Sequence, residues 1–522
     1  MSTPVNVLVV GVGPHTRLNH LPALAAAQDA GLAGTVTGVN LPHAAAPVDY
    51  GTPGQPRRMP IVAVQPLPAR CRTLPGPVLR VLEEAVERER VGAIVVASEP
   101  SVHLPYALWA IERGLPLLLD KPLTVHPGAS TDPAAAQAIA DDFDTLLDAY
   151  RTAQQRDPRM VVSVLAQRRW HPAFRQAREL IAEVAEATNC PVTSIQSSHG
   201  DGQWRLPDEL VDLGYHGFRD GYGKAAHSGY HHFDIVPWWL AASERPGKEL
   251  DEIEVHAVCT RPADFLTQLT VADHARVLPG FADRNPYSEQ DLHRLTANFG
   301  EVDVHLNVAY RGHGRVLALG SHSLAHTTFS QRAVLDPVPG SLYKGNGRIG
   351  QESHIVQQGP FQALHLHVLQ TLHGDGEGVD PRAAGGADHI ELHVFRNDRL
   401  NLGWERHRRL GFDDLTRGTG PGAVLPTQRS ARTCAVTEFL SCLAGRTPRA
   451  ELASDLADHR RPARLMAAAY LSMARRWAAG DRPTAPAVLD FHPSTVPGPV
   501  PAAVLAPTGR GGRELAASGA ER

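Results

Sequence analysis

The sequence predicts an α/β protein: a doubly wound parallel sheet at the amino end, then an α+β region built on a large open sheet, mostly antiparallel or mixed. Three observations carry this. An apolar run, Val5 to Val10, ends in Gly11-Val12-Gly13; strand-like and helix-like segments then alternate to about residue 168; beyond residue 191 the runs become longer and strand-like, with few helices between them. Alternation requires a parallel sheet covered on both faces, because right-handed crossovers place a helix between neighbouring strands.

In chain order, Val5 to Val10 reads as a buried strand, Leu18 to Ala30 as a helix and Thr35 to Val39 as the second strand. Leu41 to Pro77, rich in Pro, Gly and Ala, reads as irregular surface chain around one short strand, Pro60 to Val64. Val78, Val81, Leu82 and Val86 recur at helical spacing within Pro77 to Arg90, followed by the strand Ala93 to Ala97, a helix His103 to Arg113 and a strand Pro116 to Leu119. Asp132 to Gln155 reads as helix, Met160 to Leu165 as strand and Pro172 to Ala187 as an amphipathic helix. Strands are expected at Glu252 to Cys259, Val302 to Tyr310, Val316 to Ser321 and His389 to Phe395, and helices at Ala435 to Leu443 and Leu452 to Ala478. The domains are set at 1–168, a dinucleotide-binding unit, and 169–495, an α+β substrate and oligomerisation unit that turns helical over 430–480. The Pro-, Gly- and Ala-rich tail, 496–522, is expected to be disordered.

Composition narrows the function. With 522 residues, 43% hydrophobic, 20% charged and a net charge of −4, the chain has no basic field to hold a phosphate backbone, so nucleic acid is excluded as a partner. The five cysteines make no Cys-x-x-Cys pair and no zinc-ligand spacing, which suits a reducing compartment. No leader-like or membrane-spanning run is read, so the expected location is the cytoplasm. Of the 27 histidines, His365 and His367 share one face of a strand while His373 fits neither helical nor strand spacing, so no metal site is assigned.

Gly11 and Gly13 supply two of the three glycines of a dinucleotide fingerprint, where a tight turn lets a diphosphate approach backbone N–H groups at a helix start; Thr16 stands at the third. His15 belongs to the same turn. The second strand ends in Asn40 rather than an acid, which leaves NAD and NADP both open, with Arg57 and Arg58 downstream as possible partners of a 2′-phosphate. The stretch Ala93-Ile-Val-Val-Ala-Ser98-Glu99-Pro100-Ser-Val-His103, continuing through Gly114 to Asp120-Lys121-Pro122, has the spacing of one strand–helix–strand unit and puts Lys121 at the carboxyl end of a parallel strand, where such sheets bind ligands.

This stretch resembles the glucose-fructose oxidoreductase, inositol dehydrogenase and MocA (Gfo/Idh/MocA) family, whose corresponding motif is Glu-Lys-Pro, here with Asp120 for the glutamate. Ser163 to Phe174, including Arg169, is similar to that family's last nucleotide-domain strand, and Lys224 to Asp234 to its Asp-x-Gly-x-His-x-x-Asp signature. The resemblance implies a Rossmann domain, NAD or NADP as cofactor, and Gly11, Gly13, His15, Thr16, Asn40, Ser98, Glu99, Pro100, His103, Asp120, Lys121 and Arg169 at the cofactor. It implies a hydroxyl or keto group of a sugar, cyclitol or sugar-like molecule as substrate, and a homodimer or homotetramer.

By the same resemblance His231 is the acid/base and Lys121 the donor to the reacting oxygen, whereas His227 stands where the family has aspartate. An imidazole suits proton transfer because its ordinary pKa lies near neutrality. The replaced aspartate keeps two alternatives open: a redox-neutral enzyme that oxidises and re-reduces its substrate during hydrolysis, elimination or epimerisation, and a non-catalytic ligand-binding regulator on the same scaffold.

Overall fold

The computed structural model describes residues 3–491 apart from 53, 69, 213–216, 334, 336–346 and 372–378. The first sheet is built from β1 (Val5–Val10), β2 (Ala33–Asn40), β5 (Ile61–Ala63), β6 (Ala93–Val96), β7 (Leu117–Leu119) and β8 (Val162–Val164) in the order β5-β2-β1-β6-β7-β8, every pairing parallel. Its covering helices are α1 (Leu21–Asp29), α2 (Gly76–Glu89), α3 (His103–Glu112) and α4 (Pro133–Arg156). The strand order reverses at β1 and β6, and a crevice opens outside the carboxyl ends of the strands there.

A hairpin, β3 (Val48–Thr52) and β4 (Gln55–Met59), occupies part of the stretch expected to be irregular. Its sequence is a poor strand former, with Gly51, Pro56, Arg57 and Arg58. It holds because Val48 and Met59 are buried in one cluster with Leu24 and Val36, and Tyr50 donates to Gln28 of α1.

After α5 (Pro172–Thr188) the chain builds the second sheet from β9 (Ser194–Gly200), β10 (Glu252–Thr260), β11 (Asp303–Gly312), β12 (Arg315–Ala325), β13 (Ile349–Gln358), β14 (Gln362–Thr371), β15 (Glu391–Arg396), β16 (His407–Leu410) and β17 (Ala487–Asp490). The order is β16-β15-β14-β13-β9-β12-β11-β10-β17. Only β9 and β12 run parallel, so the sheet is mixed, as expected. Burial alternates along β11, β12 and β13, so each strand turns one face to the core.

The second region holds more helix than its composition suggests. Between β9 and β10 lie α6 (Pro207–Asp212) and α7 (Tyr230–Ala242), and between β10 and β11 come α8 (Pro262–Gln268), α9 (Val271–Val277), α10 (Phe281–Arg284) and α11 (Glu289–Thr296). These last are short and polar, too short for periodicity to show, but two carry local start signals: Thr270 and Ser288 accept from the N–H groups of Asp273 and Asp291.

Near the carboxyl end α12 (Phe412–Leu415) precedes α13 (Gln428–Leu443) and α14 (Arg460–Ala478). The expected helix from Leu452 begins only at Arg460, because 3-10 turns at Arg449–Glu451 and Leu456–His459 precede it. Ala435, Val436 and Phe439 of α13 share a core with Val7 and Val9 of the parallel sheet and Leu24 of α1. This part of the chain therefore returns to the nucleotide-binding region, and residues through Phe491 pack as one unit.

One buried ion pair ties these parts together. Arg169, in the 3-10 turn Gln167–Trp170 after β8, donates to Asp234 of α7 from Nη2 at 2.7 Å and from Nε at 3.0 Å, and to the Ala453 carbonyl at 3.1 Å. Arg169 and Asp234 are both about 1% exposed. The expected tail, 496–522, lies outside the described residues. All five cysteines are free, and no helix among the described residues is long and apolar enough to cross a membrane.

Removing one member of a buried pair leaves the other charge uncompensated, a loss of about 3–5 kcal/mol. Asp234→Ala is therefore expected to lower the stability from denaturant unfolding by that amount; a loss below about 1 kcal/mol would show that Arg169 finds another counter-charge.

Candidate active site

The crevice at the carboxyl ends of β1, β2, β6 and β7 is a cavity of about 570 Å³, lined by Gly11, Gly13, Pro14, His15, Thr16, Asn40, Ser98, Glu99, Pro100, Asp120, Lys121 and, from the second region, Tyr222, Ala226 and His227. Its floor needs Gly11. The φ of Gly11 is +90°, and a Cβ there would stand 2.5 Å from the Ser98 backbone. At Gly13 the same atom meets open space, so the backbone faces the cavity without a side chain. Thr16, in place of the third glycine, is fully buried and donates from Oγ1 to the Gly11 carbonyl at 2.6 Å, closing the turn from within.

This cradle suits a dinucleotide. Backbone N–H groups at a glycine turn leading into a helix favour phosphate, and Ser98 Oγ lines the cavity buried and without a hydrogen-bond partner. Asn40 has no acid's role here: its amide donates to the carbonyls of Val12 and Ala44, and its Oδ1 accepts from Leu41 N. Glu99 accepts from Tyr222 Oη at 2.5 Å, joining the two regions across the cavity.

Four residues singled out from sequence point elsewhere. His103 is buried under the crevice, its ring nitrogens 2.9 Å from the Ser98 carbonyl and 3.0 Å from that of Pro122. Arg169 is turned into the interior, because Asp234 takes its guanidinium. Arg57 is paired with Asp29, and Arg58, 69% exposed at its side chain, lies 3.7 Å from Asp49. None of the four lines the cavity.

The Lys121–Pro122 peptide is cis. Lys121 N donates to Asp120 Oδ1 at 2.8 Å, and Lys121 Nζ donates to the His227 carbonyl at 3.0 Å. Burial pulls the Lys121 pKa below the ordinary lysine value; Asp120 opposes this, Arg432 and Arg168 add to it, and Asp201 opposes it. Asp120 is held well below the carboxylate range by His20, whose Nε2 is 3.2 Å away, and by His15 and Lys121, against the opposing effect of its burial.

His227 lies in a π-turn, Ala225–Gly229, that leads into α7, and His231 one turn further on. Such turns widen the helix and occur often at functional sites. The Gln167 carboxamide holds His231 at Nε2, 3.1 Å away, and Nδ1 has no hydrogen-bond partner. Burial, then Lys121 and Arg168, hold His231 well below the ordinary histidine value, which makes it neutral; burial and Lys121 do the same to His227.

Several polar groups of this region had no role in the sequence reading. Asp201, 1% exposed just past β9, accepts from Lys224 Nζ at 2.8 Å, from His326 Nδ1 at 3.1 Å and from Ser228 Oγ at 3.4 Å. Its charge acts on both Lys121 and His227. A buried carboxylate thus serves this site although position 227 has lost one. Arg168 makes a bidentate pair with Glu352 at 2.8 and 2.7 Å. His365 and His367 do share a face of β14, their rings 6.1 Å apart, whereas His373 lies outside the described residues.

Two substitutions test the cradle. Gly11→Ala forces a Cβ against backbone and a left-handed φ onto alanine, so NAD⁺ affinity measured by calorimetry is expected to fall at least about tenfold with about 1–3 kcal/mol of lost stability. Arg57→Ala with Arg58→Ala is expected to leave the NAD⁺-to-NADP⁺ affinity ratio unchanged; a shift against NADP⁺ would put a guanidinium at the 2′ position.

Residues 5–142 match the family model described as "Oxidoreductase family, NAD-binding Rossmann fold". No curated protein matches the chain. Among solved structures, an inositol dehydrogenase homolog from Azotobacter vinelandii complexed with NAD⁺ aligns over 94% of this chain and 97% of its own at 15% identity, with a TM-score of 0.53. Levoglucosan dehydrogenase with NADH and levoglucosan aligns over 94% and 99% at 14% identity and a TM-score of 0.50. The WlbA dehydrogenase from Bordetella pertussis with NADH and UDP-GlcNAcA aligns over 90% and 96% at 14% identity and a TM-score of 0.50. These likenesses extend the shared fold across both sheets, and residues 5–142 match the Gfo/Idh/MocA oxidoreductase family model, with its NAD-binding Rossmann fold.

Proposed function

We propose that the protein is a dehydrogenase or reductase that moves hydride between NAD(H) and a hydroxyl or keto carbon of a sugar, cyclitol or sugar-like molecule. The observation that carries this is the placement of Lys121: a half-buried lysine at the carboxyl end of β7, lining the dinucleotide cavity and bonded to the backbone of the turn that leads to His231. Three solved structures of the same fold hold NAD⁺ or NADH, two of them with levoglucosan or UDP-GlcNAcA, which supports a carbohydrate-like substrate by analogy.

When bound, the nicotinamide supplies the hydride acceptor or donor. The chain supplies the rest. Lys121 donates a hydrogen bond to the reacting oxygen and stabilises alkoxide character there, an interaction strengthened by burial. His231, neutral with one nitrogen held by Gln167, takes and returns the hydroxyl proton. His227 lines the cavity beside Lys121 and binds or orients the substrate.

The division at residue 168, a homodimeric or homotetrameric assembly and a cytoplasmic location belong to the same proposal. The fold analogy supports the assembly, and the five free cysteines support the location.

Reduced-cofactor absorbance with a panel of polyols and keto sugars tests the reading. Net reduction of NAD⁺ is expected, with kcat/KM reduced about 10²–10⁴-fold in Lys121→Met and in His231→Ala. Substrate turnover without any net absorbance change would instead identify a redox-neutral reaction.

Lys121 also sets a pH dependence. The amine presents a positive charge to the alkoxide only while protonated, and its pKa lies below the ordinary 10.5. Activity should therefore fall as pH rises through that lowered value, and Lys121→Met should abolish this alkaline limb. A limb retained unchanged in the variant would remove Lys121 from the reaction.

A further inference from the structure

Between α7 and the centre of the second sheet lies a cluster of side chains that the proposed hydride transfer does not use. His199 of β9 and Glu352 of β13 stand directly opposite each other in register, so their side chains leave the same face of the sheet. His232 reaches them from α7. The ligating atoms of the three lie within 4.8 Å of one another, with His232 Nε2 3.8 Å from Glu352 Oε1 and the two imidazole centroids 5.1 Å apart.

His232 distinguishes this cluster from an ordinary polar core. It is 0% exposed, and neither ring nitrogen has a hydrogen-bond partner. Buried polar atoms are nearly always satisfied, and each orphan is unfavourable by about 1–3 kcal/mol. A cation between the imidazoles and the carboxylate would use a lone pair from each.

The neighbours orient the set as supports of a metal site do. His354 Nδ1 is 2.8 Å from Ser197 Oγ, and its Nε2 donates to Glu352 Oε1 at 2.9 Å. With the two bonds from Arg168, three of the about four lone-pair positions of Glu352 are occupied and one is left. His199 Nδ1 accepts from Lys224 Nζ at 2.8 Å, so the ring's hydrogen stands on Nε2 and a metal bound there displaces one proton to solvent; the same amine has Asp201 as its other partner.

We propose that His199, His232 and Glu352 bind one divalent transition-metal ion, with its remaining positions open to water. Two imidazoles and one carboxylate suit zinc, iron, cobalt or nickel. Magnesium and calcium, which take oxygen donors, are disfavoured by the two imidazoles. The other group of this kind among the described residues, His15, His20 and Asp120, belongs to the dinucleotide cavity already described. The inference does not depend on the proposed hydride transfer.

Titration of the chelator-stripped full-length protein with Co²⁺, read by visible absorption, and with Zn²⁺, read by calorimetry, tests it. One ion per chain is expected, with cobalt bands of a nitrogen-and-oxygen site, and with affinity falling more than about tenfold in His199→Gln, His232→Gln and Glu352→Gln. His20→Ala should bind as the parent does. Near-UV circular dichroism identifies any variant that fails to fold, and His199→Gln, at the least buried of the three positions, then decides. Absence of stoichiometric binding in the parent, unchanged binding in a folded His199→Gln, or a loss confined to His20→Ala would overturn the assignment.

Discussion

The structure depends on one arrangement: the Lys121 amine, just past a strand of the parallel sheet, sits half-buried against the turn before α7 and is bonded to the His227 carbonyl. A buried ammonium is unfavourable unless paired or hydrogen-bonded. Asp120 at its own backbone and Asp201 from the far sheet provide the compensation. The arrangement therefore exists only if both sheets are held in register. Arg169–Asp234, Tyr222–Glu99 and the return of α13 onto the first core are the contacts that hold them.

The parallel sheet was legible from sequence because its signals are local. Each strand is a short apolar run closed by a turn, and each covering helix is long enough to show its period. The hairpin at Val48–Met59 was not legible, since its stability comes from burial against α1 and its own residues favour turns. The short helices from Pro262 to Thr296 were missed for the opposite reason: they carry too few residues for a pattern, and only their capping side chains announce them.

At the site, many of the residues that the sequence reading placed at the cofactor line the cavity, and most of these sit at turns and strand ends: Gly11, Gly13, His15, Thr16, Asn40, Ser98, Glu99, Pro100, Asp120 and Lys121. Arg169 and His103 were misplaced because a motif shows that a residue is near a site, not which way its side chain turns. Asp201, Glu352 and His199 escaped because β9 and β13, which bring them together, lie more than a hundred residues apart in the chain. Sequence alone offers only an Asp after a strand and a Glu within one. Their cross-strand register, Glu352 opposite His199, is a property of the sheet.

Burial keeps the imidazoles of this region neutral. His227, His231 and His232 are all pulled well below the ordinary histidine value, chiefly by burial. Neutral imidazoles can accept a proton or a metal, whereas charged ones can do neither. The most direct measurement of the central claim is a crystal structure of the chain with bound NAD⁺. The account predicts the diphosphate over Gly11 and Gly13 and the nicotinamide within reach of both Lys121 Nζ and His231. A dinucleotide bound elsewhere, or a nicotinamide remote from that amine, would contradict it.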